Sequence, residues 1–442
     1  MPMIKARSFA AYLDRRVLMV VALGFASGLP LLLTFSTLSA WLKDSGISRA
    51  AIGMFALVGI PYSFKFVWSP LIDRLTLPVL TAYFGRRRGW GLFLQTLLIL
   101  AVLALANCDP SADLGRMAML AVLVAFLSAS QDIVIDAYRV EILTEDQQGP
   151  GAGAVQLGYR AGMMAAGAGA LFIASAFGWM AAYMAMAALL ACGLLVFLLG
   201  PEPDAKVNPA VAALEQAASQ YLQARPHLQG RRAAIISWLY GAVIGPFAEF
   251  TTRRGWVAIL LLVIGYKMGE AMAGATANVF YLELGYSLDE IATISKVFGV
   301  GPTILGSVIG GAMVVRLGAV RAMLIFGVLQ SLGNLFYVVQ AMAGHNLWAL
   351  ALCVSVENFT AGLAGSALVA YVSGLCNIAY TATQYALLSS LSSLGRTLFA
   401  SSSGTLADWL GWTDFYLLTT AITIPALLLL LWIDRSNHLQ TQ

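Results

Sequence analysis

Residues 117–143 read MAMLAVLVAFLSASQDIVIDAYRVEIL, and this stretch decides what kind of chain carries it. From Arg116 onward the run is apolar and long enough to cross about 30 Å of hydrocarbon as one helix. Its second half, Ser128–Leu143, places Asp132, Asp136 and Arg139 inside what otherwise reads as membrane. At about 100° per residue the three side chains fall within about 60° of one another, on one helical face. A charge at bilayer depth is expensive, so such residues face a bundle interior or a wet cavity. One reading is structural: Asp136 and Arg139 stand three apart and pair so that the helix can insert. Asp132, seven residues from that arginine, is left over. Two carboxylates competing for one cation allow one of them to take up a proton. This face leads the functional argument.

The composition agrees with the membrane reading. Of 442 residues, 60% are apolar and 11% charged, whereas soluble domains carry about 25% charged residues. The chain is therefore expected to be an all-α polytopic membrane protein. A net charge of +4, spread over loops, does not point to nucleic acid. The four cysteines form no CxxC pair, and His227, His345 and His438 fall in predicted loops or the tail. No disulfide framework, metal site or cofactor is expected.

Apolar runs of spanning length occur twelve times, at about 17–41, 51–71, 89–107, 116–138, 152–176, 180–199, 255–280, 290–314, 321–343, 347–373, 379–406 and 413–433. They are numbered here as spans one to twelve. Arg15-Arg16 precedes a run that lacks a clear cleavage site, so span one is expected to be retained. With the N-terminus inside, seventeen lysines and arginines fall in cytoplasmic segments and three, Lys43, Arg49 and Arg116, outside. That asymmetry puts both termini in the cytoplasm. Nine of the ten tryptophans, all but Trp238, lie near span ends as interfacial anchors.

One substantial linker, 201–254, divides an N-terminal six-span half (1–200) from a C-terminal one (255–442). Within it, 208–224 and 232–250 read as helical, the second lying along the cytoplasmic surface. The halves echo each other: Asp73-Arg74 and Gly85-Arg86-Arg87-Arg88 follow span two, and Gly310-Gly311 and Arg316 to Arg321 follow span eight. Two six-helix halves with related inner loops are what major facilitator superfamily transporters show. Gly158 and Gly162 in span five stand at GxxxG spacing, which suits close helix packing. Gly28-Leu29-Pro30 marks an expected local break in span one.

Candidate proton-coupling carboxylates are Asp132, Asp136, Glu270 and Glu357. Candidate cavity residues are Gln131, Arg139, Tyr159, Arg160, Lys267, Lys296, Asn358, Gln384, Tyr385 and Arg396. Lys267 and Glu270 share a face at i, i+3, where pairing with each other alone is the simpler reading. Lys65, Asp73, Arg74, Arg86, Arg87 and Arg88 form a candidate cytoplasmic gate. Asp73 stands out as a carboxylate in a basic loop, able to accept from backbone N–H groups or from an arginine across the half-interface. Polar groups spread over both halves suit a central pathway for a large, polar, charged solute.

These residues resemble the AmpG family of muropeptide permeases, a branch of the major facilitator superfamily. The matching stretches are GFASGLP (24–30), FKFVWSPLIDR (64–74), FGRRRGW (84–90), SASQDIVIDAYR (128–139), LGYRAGM (157–163), GYKMGEA (265–271), VENF (356–359) and TQYALLSSLSSLGR (383–396). The resemblance implies proton-coupled import of anhydromuropeptides from periplasm to cytoplasm, across the inner membrane of a Gram-negative bacterium. It implies a part in cell-wall recycling and, where that circuit exists, in β-lactamase induction. The eukaryotic acetyl-coenzyme A transporters look like distant cousins with a large anionic cargo, which makes acetyl-coenzyme A the alternative solute. The protein is expected to act as a monomer in the bilayer. Neither HExxH nor GxSxG occurs, no histidine lies in a span, and no nucleotide-binding Walker motif is present, so an enzyme or an ATP-driven pump is not expected.

Overall fold

In a bilayer every backbone polar group must be satisfied within its own segment, and apolar runs of this length answer that demand by becoming helices. The computed structural model describes residues 11–47, 51, 55–203, 245–253, 255–377 and 380–438, and the regular elements among them are all helical. The linker stretch 208–224 and most of 232–250 lie outside the described residues, as do Lys206, Arg225, Arg231, Arg232 and Trp238. The side chain of Lys296 also lies outside them.

Among the described residues ten helices are long and apolar enough to cross a membrane: Arg15–Asp44, Arg86–Ala106, Leu114–Ile142, Glu145–Phe177, Trp179–Leu199, Trp256–Glu283, Thr293–Leu317, Ala319–Ala343, Leu347–Leu375 and Trp412–Arg435. These are spans one, three to six, seven to ten, and twelve. Span two is instead a chain of short turns, Phe55–Gly59, Ile60–Phe64, Lys65–Val67 and Ser69–Arg74. Pro61 and Pro70 each open one of its α-turns, where a missing N–H costs nothing but the preceding helix stops. Span eleven runs as Thr381–Ser401 and Ser403–Leu410 and is serine-rich. Both departures from a plain apolar helix occur at spans that meet across the halves.

Each half has its own apolar core. The first gathers spans one to six from Val17 to Phe197 and also takes in Ala382 and Ala386 of span eleven. The second and third belong chiefly to spans seven to twelve. Spans one and five pack backbone to backbone: a methyl on Gly158 would come within 2.0 Å of the Val21 oxygen, and one on Gly162 within 2.3 Å of Phe25 O. The GxxxG pair is thus a packing face. Across the halves, a methyl on Gly149 would come within 2.6 Å of Gly311 O and one on Gly153 within 2.6 Å of Ser307 O, both of span eight.

The expected break at Pro30 is not there. The helix continues through Pro30 to Thr34 and is interrupted at Phe35, whose φ/ψ of −118°/−98° leave the helical region. Thr34 Oγ1 donates to the Pro30 and Leu31 carbonyls, at 3.1 and 3.0 Å, and so satisfies groups that the interruption frees.

Candidate functional site

A cavity of about 750 Å³ lies between the halves. Spans one, two, four and five supply Ser27, Tyr62, Lys65, Asp132, Asp136, Gln156, Tyr159 and Arg160 on one side. Spans seven, eight, ten and eleven supply Lys267, Glu270, Thr303, Ser307, Glu357, Tyr385, Ser389, Ser393 and Arg396 on the other. The four candidate carboxylates therefore share one space, although they arise from three different spans.

In the first half, the helical repeat of span four turns Asp132 and Asp136 to the cavity together. Asp132 accepts from Ser27 Oγ at 2.6 Å. Asp136 stands 3.9 Å from Lys65 Nζ and 3.9 Å from Arg139 Nη2, loose ion pairs that lack hydrogen-bond geometry. Lys65 is thus a cavity residue and not, as expected from sequence, part of the gate. Arg139 is corrected the other way. It is fully buried off the cavity wall, donates to Ser373 Oγ at 3.0 Å and lies 5.3 Å from the Tyr385 ring centroid. It joins span four to spans ten and eleven.

In the second half, Lys267 donates to Glu270 and, at 3.2 Å, to the Ala361 carbonyl, while Gln330 also donates to Glu270. The i, i+3 pairing read from sequence is present and has an outside partner as well. Three further candidates leave the cavity. Gln131 is fully buried away from its wall. Asn358 accepts from Thr303 Oγ1 at 2.9 Å and donates to Val354 O at 2.9 Å, bracing span ten on span eight. Gln384 donates to Glu249 and accepts from the Asn377 N–H at 2.7 Å, beside the Arg253–Glu249 ion pair.

The cavity is sealed at the end that carries Asp73. That carboxylate is buried and works in two directions at once. Oδ1 accepts from Arg87 Nη2 at 2.8 Å within its own half. Oδ2 accepts from both the backbone N–H and Oγ1 of Thr383, each at 2.7 Å, in the other half. Thr383 sits in the first turn of Thr381–Ser401, where N–H groups lack intrahelical partners and the helix dipole favours an anion. Arg87 is completed by Glu141, with contacts of 2.6 to 3.1 Å, and Arg86 donates to the Asp73 carbonyl at 2.8 Å. Arg74 reaches Tyr380 OH at 3.4 Å, and Tyr12 OH donates to Val308 O at 2.7 Å. Arg88 turns away to cap the Phe197 and Leu198 carbonyls, at 2.7 and 2.6 Å. The described hydrogen bonds between the halves all belong to this end.

Sequence reasoning missed Glu141 and Glu202. Glu202 accepts from the Arg87 and Arg88 N–H groups at 2.8 and 3.0 Å, capping Arg86–Ala106. The available signal was the one that picked out Asp73: an acidic residue among arginines at the basic end of the bundle.

Two helical halves around a polar cavity, closed at one end by a carboxylate shared between them, define a transporter of the major facilitator superfamily. The superfamily profile matches residues 259–441. The fold aligns with the solved proton:xylose symporter of that superfamily, bound to 6-bromo-6-deoxy-D-glucose, at a TM-score of 0.68 over 95% of both chains; at 12% identity the likeness is one of fold. A profile described as acetyl-coenzyme A transporter 1 matches residues 16–189. The anhydromuropeptide permease of Escherichia coli K12 is 40% identical over 94% of this chain and 79% of its own length. The protein called AmpG 4 in Rickettsia felis is 36% identical over 96% of this chain and 97% of its own. The chain belongs to the AmpG family, and it is a multi-pass membrane protein.

Proposed function

We propose that this chain is a proton-coupled secondary transporter that imports anhydromuropeptides, GlcNAc-anhydroMurNAc with or without peptide, across the Gram-negative inner membrane. The reading is carried by the 40% identity to the E. coli anhydromuropeptide permease over 94% of the chain. It supplies cell-wall recycling and, where the circuit exists, β-lactamase induction. A cavity of about 750 Å³ walled by hydroxyls, an amide and charges of both signs suits a polar solute of that size class. The lysine and arginine asymmetry supports a cytoplasmic Asp73 end, with both termini and the 201–254 linker on that side. In that orientation the conformation described is shut to the cytoplasm and receives solute from the periplasm.

Asp132 is the proposed proton carrier. It faces the cavity, accepts one hydrogen bond from Ser27, and has Lys65 and Asp136 as its charged neighbours. Movement of span two relative to span four would move Lys65 and change the proton affinity of Asp132, which is the coupling a symporter needs. One proton crossing 100 mV supplies about 2.3 kcal/mol.

The match of residues 16–189 to the acetyl-coenzyme A transporter profile favours a second reading, in which the solute is acetyl-coenzyme A. Uptake of labelled GlcNAc-anhydroMurNAc into right-side-out vesicles separates the two. Accumulation that an uncoupler abolishes and that excess acetyl-coenzyme A leaves unchanged is expected. Accumulation indifferent to uncoupler sinks the proton coupling, and accumulation of acetyl-coenzyme A instead sinks the proposed solute.

A further inference from the structure

The charges that the described residues place on the cavity wall sum to zero, yet they are not evenly paired. Lys65 stands 3.9 Å from Asp136, and its charge also acts on Asp132. Lys267 is hydrogen-bonded to Glu270. The charge of Glu357 acts on Tyr281 and Tyr337 behind the wall. Arg160 and Arg396 remain. Neither enters an ion pair among the described residues, and Arg396 is exposed. Both charges act on Lys267 and on Tyr159, so the two guanidiniums share one region of the wall.

They reach that region from opposite halves. Arg160 lies twelve residues beyond Gln148, where its helix begins, and Arg396 fifteen beyond Thr381. At about 1.5 Å per residue these are rises of about 18 and 22 Å. Both helices begin at the sealed end, where Gly149 meets Gly311 and Thr383 meets Asp73. The arginines therefore stand well up the cavity, above the seal. The charge of Arg396 also acts on Glu270, a carboxylate already held by Lys267 and Gln330. Two cations on opposite walls of a cavity still repel, and the repulsion grows as the walls approach and water leaves. An anion between them reverses the sign. A carboxylate accepts paired N–H bonds from a guanidinium, and it has lone pairs enough for two of them.

We propose that Arg160 and Arg396 form a two-sided carboxylate site, and that the solute's own carboxylate ties the halves together over the cavity. The proposal rests on the anhydromuropeptide reading, whose solutes carry a carboxylate on the lactyl group or on the peptide. An anion that binds the drawn-in arrangement better than the spread one shifts the population toward it. Solute is thereby the condition for closing the far mouth, and an empty or neutral-loaded carrier stays open there.

The test uses the full chain in lipid nanodiscs with GlcNAc-anhydroMurNAc and its carboxamide, identical except for the charge. Isothermal titration of the wild-type protein is expected to show the carboxamide binding at least about tenfold more weakly, the scale of charge-assisted hydrogen bonds. Arg160→Gln and Arg396→Gln should each erase that difference by weakening the acid, and Arg160→Lys and Arg396→Lys should restore part of it. Spin labels on spans one and seven, at the ends remote from Asp73, should move closer with the acid and not with the carboxamide. Equal binding of acid and carboxamide by the wild-type protein overturns the site and leaves the transport proposal standing. Binding of neither compound, with no uptake of either, overturns the anhydromuropeptide reading and the site with it.

Discussion

Asp132 and Asp136 are one helical turn apart, and their different surroundings separate their roles. Asp136 lies between two cations, Lys65 and Arg139, at 3.9 Å from each. Asp132 has a neutral donor, Ser27, at 2.6 Å. Two cations hold Asp136 in place from either side, whereas Asp132 has only a hydroxyl bonded to it, so Asp136 suits anchoring and Asp132 suits carrying. Asp132→Asn is accordingly expected to abolish gradient-driven accumulation in vesicles while solute binding survives, since the amide still accepts from Ser27. Wild-type accumulation in that variant, still sensitive to uncoupler, would move the proton site to Glu270 or Glu357. How far such roles are legible in sequence depends on where the partners come from. The shared face of Asp132, Asp136 and Arg139 follows from spacing along one helix. The partners of Arg139, Ser373 and Tyr385, come from spans ten and eleven, and no local pattern encodes them. Gln131, Asn358 and Gln384 show the same limit. A polar residue in an apolar run looks alike whether it lines a cavity or braces a neighbouring helix, and only packing decides which.

Spans two and eleven carry the element-scale argument. They are the two of the twelve that give no long, apolar spanning helix among the described residues, and between them runs the Asp73–Thr383 contact. A hydrogen bond to a charged group contributes about 1.5–3 kcal/mol, or about tenfold to a hundredfold in an equilibrium. Asp73→Asn keeps an acceptor for Thr383 but gives up the charge shared with Arg87. It should shift the balance toward the state open at the Asp73 end by about tenfold, with expression intact. Cysteine accessibility on both sides reports it, and unchanged labelling would count against the clasp. Packing of spans one and five makes a second element-scale prediction. Gly158→Ala forces a methyl within 2.0 Å of Val21 O and should lower the unfolding temperature, at a cost of about 1–3 kcal/mol. Gly301→Ala, where nothing lies within 4 Å, should leave it unchanged or raise it slightly. The GxxxG face was legible because small residues at i, i+4 dictate a close approach whatever the partner. The site of the break in span one was not. Proline loses one hydrogen bond but is tolerated where neighbours and hydroxyls satisfy the freed groups, so the chain gives way at Phe35 and not at Pro30.

At the scale of the whole molecule, the halves are tied at one end and share a polar cavity beyond it. The ties are numerous and mutually dependent: Asp73 needs Arg87, Arg87 needs Glu141, and Arg139 needs Ser373. Removing one member of such a buried network strands the others, at about 3–5 kcal/mol for a charge left unpaired. The seal should therefore open as a unit and not leak residue by residue. This makes accessibility a sharp test of which side the cavity faces. In a background with Cys108, Cys192, Cys353 and Cys376 replaced by alanine, Ser393→Cys places a thiol on the exposed cavity wall, and Ala382→Cys places one in the sealed core. With the Asp73 end cytoplasmic, a membrane-impermeant maleimide added from the periplasm should label position 393 rapidly and position 382 not at all. Saturating GlcNAc-anhydroMurNAc should protect position 393 by occupying the cavity. Combining Ala382→Cys with Asp73→Asn should expose position 382 from the cytoplasmic side as the seal opens. Labelling of position 393 from the cytoplasm alone would reverse the assigned orientation, because the same closed seal would then face the periplasm.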